Sequence, residues 1–83
     1  MYYLYMVKCA DGTFYTGITT DITRRVSEHN CSPKGARYTR SRRPVQCVYT
    51  CSLPDKTTAL REEIRIKRLS HERKHALAVT RGD

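Results

Sequence analysis

The chain has 83 residues, enough for one compact domain with a small core and too few for a second folded module, so residues 1–83 are expected to form one unit. Sixteen Lys and Arg against eight Asp and Glu give a formal net charge of +8, and the pI is near 9.7, which favours a polyanionic partner over an acidic small molecule or a neutral surface. No apolar run approaches the ~20 residues of a spanning helix and no lipidation signal is visible, so a membrane partner is disfavoured.

Four cysteines, Cys9, Cys31, Cys47 and Cys51, occur without a signal peptide. They read as free thiols in a reducing, intracellular setting, the cytoplasm, or the nucleus of a nucleated host. Cys47 and Cys51 could join His29 and Cys31 in a zinc site, but their spacing is not that of a zinc knuckle, and free cysteine is an ordinary core residue. A small zinc protein is therefore a rival that a metal analysis would detect.

Tyr2 to Cys9 is almost wholly aromatic and aliphatic, and Phe14 to Thr19 is again rich in β-formers, so an N-terminal hairpin is expected around Ala10-Asp11-Gly12. A two-residue loop would place Tyr5 and Tyr15 on opposite faces of the sheet. A three-residue loop with Gly12 left-handed would pair Val7 with Tyr15 and Tyr5 with Gly17, setting both tyrosines on one face. The second register is the expected one, because a shared site needs it.

Asp21 caps an expected helix running to about Asn30, with Ile22 and Val26 as its buried stripe and Arg25 and His29 projecting together at i,i+4. Cys31-Ser32-Pro33-Lys34-Gly35 breaks it. A basic loop follows, in which Lys34, Arg37, Arg40, Arg42 and Arg43 surround Tyr38. Pro44 to Thr50 reads as a third strand, with Val45, Cys47 and Tyr49 on one face and Gln46 and Val48 on the other. A second helix is expected from about Thr57 to Leu69 and a third from Ser70 to about Val79. The closing Arg81-Gly82-Asp83 would matter for adhesion only in a secreted protein and is taken as coincidence. The expected fold is α/β (α+β), a small three-stranded antiparallel sheet flanked by helices.

On the second helix Ala59, Leu60, Ile64, Ile66 and Leu69 spread over a wide apolar arc with Glu63 near its middle. Glu63 could pair with Lys67 at i,i+4, and Glu62 lies near the same arc, so helical geometry alone does not choose between the two carboxylates. A carboxylate for a divalent cation, a cation for a phosphate and a group that deprotonates water together suit phosphodiester cleavage. Several converging acids, as two-metal hydrolysis requires, are not evident.

These residues carry a resemblance. Tyr3-Leu4-Tyr5, Tyr15-Thr16-Gly17, Arg25, His29 and Glu63 are similar to the GIY-YIG nuclease superfamily, over nearly the whole chain. The Gly35-Ala36-Arg37-Tyr38-Thr39 loop, the Pro44-Val45 strand entry and the Ala59-Leu60-Arg61-Glu62-Glu63 helix resemble its small single-domain, excision-repair-subunit-like members of the UPF0213 type. The chain departs from the name motif in having Tyr3 in place of the motif's first glycine. It also has Ile18 where repair enzymes often carry lysine, and no asparagine after Glu63.

The resemblance implies a GIY-YIG endonuclease fold and a catalytic set of Tyr5, Tyr15, Arg25, His29 and Glu63. In it Glu63 binds one Mg²⁺ or Mn²⁺, Arg25 steadies the scissile phosphate, Tyr15 or Tyr5 helps activate water, and His29 shares the proton transfer. It selects Glu63 over Glu62. Lys34, Arg37, Tyr38, Arg40, Arg42, Arg43 and Lys67 are the expected nucleic-acid contacts. The implied function is a metal-dependent DNA endonuclease of repair or recombination, acting on branched, flap or single-stranded DNA, with no nucleotide cofactor and with a protein partner for recruitment. The rival within the same fold is a nucleic-acid-binding module with weak or no turnover that works beside a partner.

Overall fold

The computed structural model describes residues 1–81 of the chain. Strand β1 (Tyr2–Lys8) and strand β2 (Phe14–Thr19) precede helix α1 (Ile22–Cys31) and the one-turn helix α2 (Arg37–Arg40). Strand β3 (Gln46–Leu53), helix α3 (Lys56–Lys67) and helix α4 (His71–Arg81) follow. The three strands form one antiparallel sheet in the order β2-β1-β3, so the most apolar strand is central. The fold is α/β, as expected. Of the closing Arg81-Gly82-Asp83, the last two residues lie outside the described residues.

The hairpin takes the three-residue loop. Gly12 has φ +85°, a conformation that a side chain disfavours, and the Cys9 amide donates to the Thr13 carbonyl at 2.8 Å. Asp11 fastens the turn by accepting from the amide and hydroxyl of Thr13 at 3.1 and 2.6 Å. The resulting register pairs Val7 with Tyr15 and Tyr5 with Gly17.

Alternation along β1 then divides the core. Leu4 and Met6 face Phe14 and Ile66, with Leu69 and Leu77 packed beside them under α3 and α4. Tyr5, Val7 and Cys9 face Val45, with Tyr15, Val26 and Cys47 beside them under α1. The sheet is a thin layer covered by helices on both sides.

Two local expectations are corrected. β3 runs three residues past Thr50 and begins at Gln46, and it carries an irregularity at the Met6/Val7 step: Met6 pairs with Tyr49 while Val7 pairs with Cys47. The extra residue, Val48, moves Tyr49 to the Met6 face, so Val45, Cys47 and Tyr49 do not share one side. On α3 the inward stripe is Ala59, Glu62, Glu63 and Ile66, at i, i+3, i+4 and i+7. Leu60 and Ile64 are 41% and 50% exposed, outside the arc they were expected to join.

Helix termini follow their capping residues. Asp21 accepts from the Arg24 amide at 3.0 Å, Asp55 from the Thr58 amide at 2.8 Å, and Ser70 Oγ from the Arg73 amide at 3.2 Å. Each such cap contributes about 1 kcal/mol. At its other end α1 is held by Arg43, whose guanidinium donates to the carbonyls of His29, Glu28 and Ser32. Asn30 exchanges two hydrogen bonds with the Val45 backbone, at 2.7 and 3.0 Å, and so fixes the C-terminal turn of α1 to the start of β3. Among the described residues no helix is long and apolar enough to cross a membrane.

Candidate active site

Tyr5 is the centre of the site. Its ring lies across the β1–β2 pair directly over Gly17, where a Cβ would stand 2.5 Å from the phenol oxygen and 2.8 Å from Cζ. Only a residue without a side chain leaves that space. Tyr5 is 1% exposed, and its hydroxyl meets His29 Nε2 at 2.7 Å. His29, expected one step round from the buried stripe of α1, is the fully buried residue of that helix. Its other nitrogen, Nδ1, meets Thr39 Oγ1 at 2.8 Å, and the Thr39 hydroxyl donates to the Ala36 carbonyl at 2.9 Å.

Tyr15 stands beside this pair, its ring edge-on to His29 with centroids 5.2 Å apart. It also stacks with Tyr38 of α2 at 5.9 Å and 25°. Arg25 reaches the same place from α1. Its Nη1 donates to Glu28 Oε1 at 2.9 Å and to the Lys34 carbonyl at 2.8 Å, and the side chain is also hydrogen-bonded to Tyr5, which still leaves part of the five-donor guanidinium fork open.

The electrostatics follow from burial. Desolvation pushes the Tyr5 phenol up to about 12, against the pull of Arg25, which favours the phenolate; the Tyr15 and Glu63 charges push the same way as burial. Desolvation, with the positive charges of Arg25 and Arg43, lowers the His29 pKa to about 4 despite the opposing Glu28. The imidazole is therefore neutral at pH 7, with one nitrogen lone pair free to accept a proton.

Glu63 enters from α3, which packs against β1 and β2. Its side chain is 18% exposed and its only ion pair among the described residues is a 3.5 Å contact with Lys67. Glu62, in contrast, is gripped by both ends of the Arg65 guanidinium at 2.8 and 2.7 Å. Of the two carboxylates Glu63 is the less committed, a distinction that helical spacing alone does not supply. On the same side of the sheet, Thr16 Oγ1 is a buried polar atom with no hydrogen-bond partner among the described residues.

Tyr5, Tyr15, Arg25 and His29 thus meet on one face of the sheet, under α1, with Glu63 in electrostatic reach of Tyr5. The basic segment is more divided. Arg37 is exposed, as are the Lys34 and Arg40 side chains, with the Arg40 guanidinium donating to the Pro33 carbonyl at 3.0 Å. Arg42 lies over the Tyr38 ring at 4.0 Å, pairs with Asp11 at 2.9 Å and donates to the Tyr38 carbonyl. Arg43 is directed inward to α1. Thr39 was quoted from sequence only as part of the Gly35–Thr39 loop and given no role, since a threonine inside a basic loop gives no sign that it will be buried.

Among the described residues no three of His, Cys, Asp and Glu converge as a metal cluster, and none of the four cysteines is in a disulfide. The donor set does not supply a zinc site. A lone half-buried carboxylate does suit a hard cation that completes its shell with water and substrate phosphate oxygens.

Comparisons with known proteins give the family. A family model described as the GIY-YIG catalytic domain matches residues 1–76. The UPF0213 protein DP2720 of Desulfotalea psychrophila is 58% identical over 76 residues, which cover 92% of this chain and 69% of the relative. The UPF0213 protein VNG_2274C of Halobacterium salinarum is 52% identical over 77 residues, covering 93% of this chain and 99% of the relative. Among solved structures, the solution structure of the UPF0213 protein BH0048 from Bacillus halodurans matches with a TM-score of 0.59 at 44% identity, over 96% of this chain and 85% of that one. The solution structure of EF2693 from E. faecalis matches with a TM-score of 0.63 at 38% identity, over 95% and 83%. The chain belongs to the GIY-YIG catalytic domain family of nucleases, alongside the UPF0213 proteins.

Proposed function

We propose that this chain, folding as one unit over residues 1–83, is a DNA endonuclease that hydrolyses phosphodiester bonds with a single divalent cation, Mg²⁺ or Mn²⁺. The observation that carries it is the buried Tyr5–His29 pair beside Tyr15, with the Arg25 and Glu63 charges acting on the same phenol.

Each residue has a role that its chemistry suits. Glu63 is the protein ligand for the cation, which when bound supplies charge neutralisation at the phosphate and lowers the pKa of water. Arg25 presents its uncommitted donors to the scissile phosphate as a planar, permanently charged group. Tyr5, hydrogen-bonded to a neutral His29, takes the proton of the attacking water, and Tyr15 closes the site against solvent. Lys34, Arg37 and Arg40 contact the DNA backbone, with Lys67 at the far side. Tyr38, its ring already stacked with Tyr15 and covered by Arg42, offers the DNA its exposed edge, and Arg42 exchanges Asp11 for a phosphate.

Basic side chains that meet backbone phosphates carry little sequence information, so substrate choice by shape follows: flap, junction or single-stranded DNA, in repair or recombination in the cytoplasm, with a protein partner directing recruitment. One observation favours a second reading, a binding module of low turnover: Arg25 is already engaged by Glu28 and the Lys34 carbonyl.

The deciding assay offers labelled single-stranded, duplex, flap and junction DNA with Mg²⁺, Mn²⁺ or chelator. Metal-dependent cutting of the branched or single-stranded forms supports the nuclease. Binding without cutting in every metal supports the module.

A further inference from the structure

His29 makes two short side-chain contacts through different ring nitrogens, Nε2 to Tyr5 at 2.7 Å and Nδ1 to Thr39 at 2.8 Å. A neutral imidazole donates through one nitrogen and accepts through the other, so the Thr39 side decides what the ring offers to Tyr5. The Thr39 hydroxyl has one proton and two neighbours: Nδ1 of His29 and, at 2.9 Å, the carbonyl oxygen of Ala36.

If that proton pointed at Nδ1, Thr39 Oγ1 and the Ala36 oxygen would face each other at 2.9 Å with no hydrogen between them, a repulsive contact between lone pairs. If it points at Ala36, the hydroxyl oxygen is an acceptor, Nδ1 must carry the ring proton, and Nε2 is bare. The opposing contact is the Ala36 amide, which approaches Nδ1 at 3.4 Å and would prefer it unprotonated. At that distance it is much the weaker of the two.

We propose that Thr39 is a positioning residue for the hydrolysis: it accepts the Nδ1 proton of His29 and thereby turns the Nε2 lone pair onto Tyr5. This deepens the nuclease reading and rests on it. As Tyr5 Oη takes a proton from the attacking water, its own proton passes to Nε2. The water oxygen's electron pair forms the new P–O bond. The leaving oxygen departs with the pair of the bond that breaks and takes a proton from bulk water, and His29 returns its extra proton to solvent through Tyr5. In the other tautomer Nε2 would already carry a hydrogen, and Tyr5 would have nowhere to pass its own.

The groups facing His29 are consistent with a neutral ring. Tyr5 and Tyr15 come from the sheet, Thr39 and the Ala36 backbone from α2 and its entry, Arg25 and Glu28 from its own helix, and Arg43 from the segment before β3. The two arginines oppose a charged imidazole and the single carboxylate favours one.

The test is the ring ¹⁵N spectrum of the labelled full chain at pH 7, without DNA, for wild type, Thr39→Val and Thr39→Ser. Wild type and Thr39→Ser should show His29 protonated at Nδ1 and bare at Nε2, and Thr39→Val should lose that preference. Single-turnover cleavage should fall about a hundredfold in Thr39→Val and recover in Thr39→Ser. A wild-type ring protonated at Nε2 would overturn the proposal, as would a Thr39→Val variant that keeps the Nδ1 proton or cuts at the wild-type rate. Failure of the wild type to cut any DNA would instead sink the nuclease reading, while the spectrum still decides the tautomer.

Discussion

Replacing Gly17 with alanine tests how the site is built into the sheet. The new Cβ would lie 2.5 Å from the Tyr5 phenol oxygen, 2.8 Å from Cζ and 3.1 Å from Cε1, well inside contact distance. Tyr5 cannot swing aside cheaply, because it is 1% exposed and its oxygen is tied to His29 at 2.7 Å. Overpacking of this kind costs about 1–3 kcal/mol. Displacing the ring leaves a buried hydrogen bond unmade, a further ~1–3 kcal/mol. Loss of the glycine's freedom in the unfolded chain returns about 0.5–1 kcal/mol. The net is a destabilisation of about 3 kcal/mol, or a fall in melting temperature of roughly 15 °C for a domain of this size. Thermal unfolding followed by circular dichroism measures it. In a Tyr5→Phe background the same substitution should cost less, since the oxygen at 2.5 Å is gone, but it should not become free, since Cζ remains. A Gly17→Ala variant melting within about 3 °C of wild type would refute the packing argument.

Further outcomes follow from the same geometry. The folded-state pKa of His29 is about 4 against an ordinary value of 6.5, so the unfolded chain binds more protons between those values. Its contribution to stability is complete above pH 6.5 and is lost as pH falls toward 4, amounting to about 3 kcal/mol; urea titrations of wild type and His29→Gln at pH 7 and pH 4.5 should show that acid sensitivity shrink in the variant. Arg43→Ala removes the donors that close the end of α1 and should destabilise by about 2 kcal/mol in the same titration, while Arg40→Ala, which loses one exposed carbonyl contact, should change stability by less than about 1 kcal/mol. Neutralising Lys34, Arg37 and Arg40 together should weaken DNA binding for every sequence and lower the slope of log K against log salt by about 2 to 3, read by fluorescence anisotropy across a salt series. An unchanged slope would move the DNA path off α2.

What could be read from sequence was set by local chemistry. The hairpin was legible from Asp11-Gly12, but that turn allowed two loop lengths, and the register was chosen because a site shared by Tyr5 and Tyr15 required it; α1 was legible from Asp21 and the break at Pro33. The irregularity in β3 was not, since an extra residue such as Val48 leaves no mark in an alternating apolar run, yet it carries Tyr49 across the sheet. Leu60 and Ile64 misdirected the apolar arc of α3, because position on a helical wheel does not say where the neighbouring strands lie. Counting basic residues grouped Arg42 and Arg43 with Arg37 and Arg40, although the first two face a tyrosine ring and three helix-terminal carbonyls. The choice between Glu62 and Glu63 needed either the family resemblance or the grip of Arg65 on Glu62, and neither lies in the spacing. Thr39 required the packed structure, because its importance comes from what it touches across ten residues of chain.

The most direct measurement compares wild type with Glu63→Gln on one substrate, recording cleavage and binding side by side in Mg²⁺ and in chelator. Cleavage should require the metal and disappear in Glu63→Gln while DNA affinity stays within about twofold of wild type, since the change removes a metal ligand and leaves Arg25 and the basic surface intact. Cleavage by Glu63→Gln at the wild-type rate would contradict this and remove Glu63 from the chemistry.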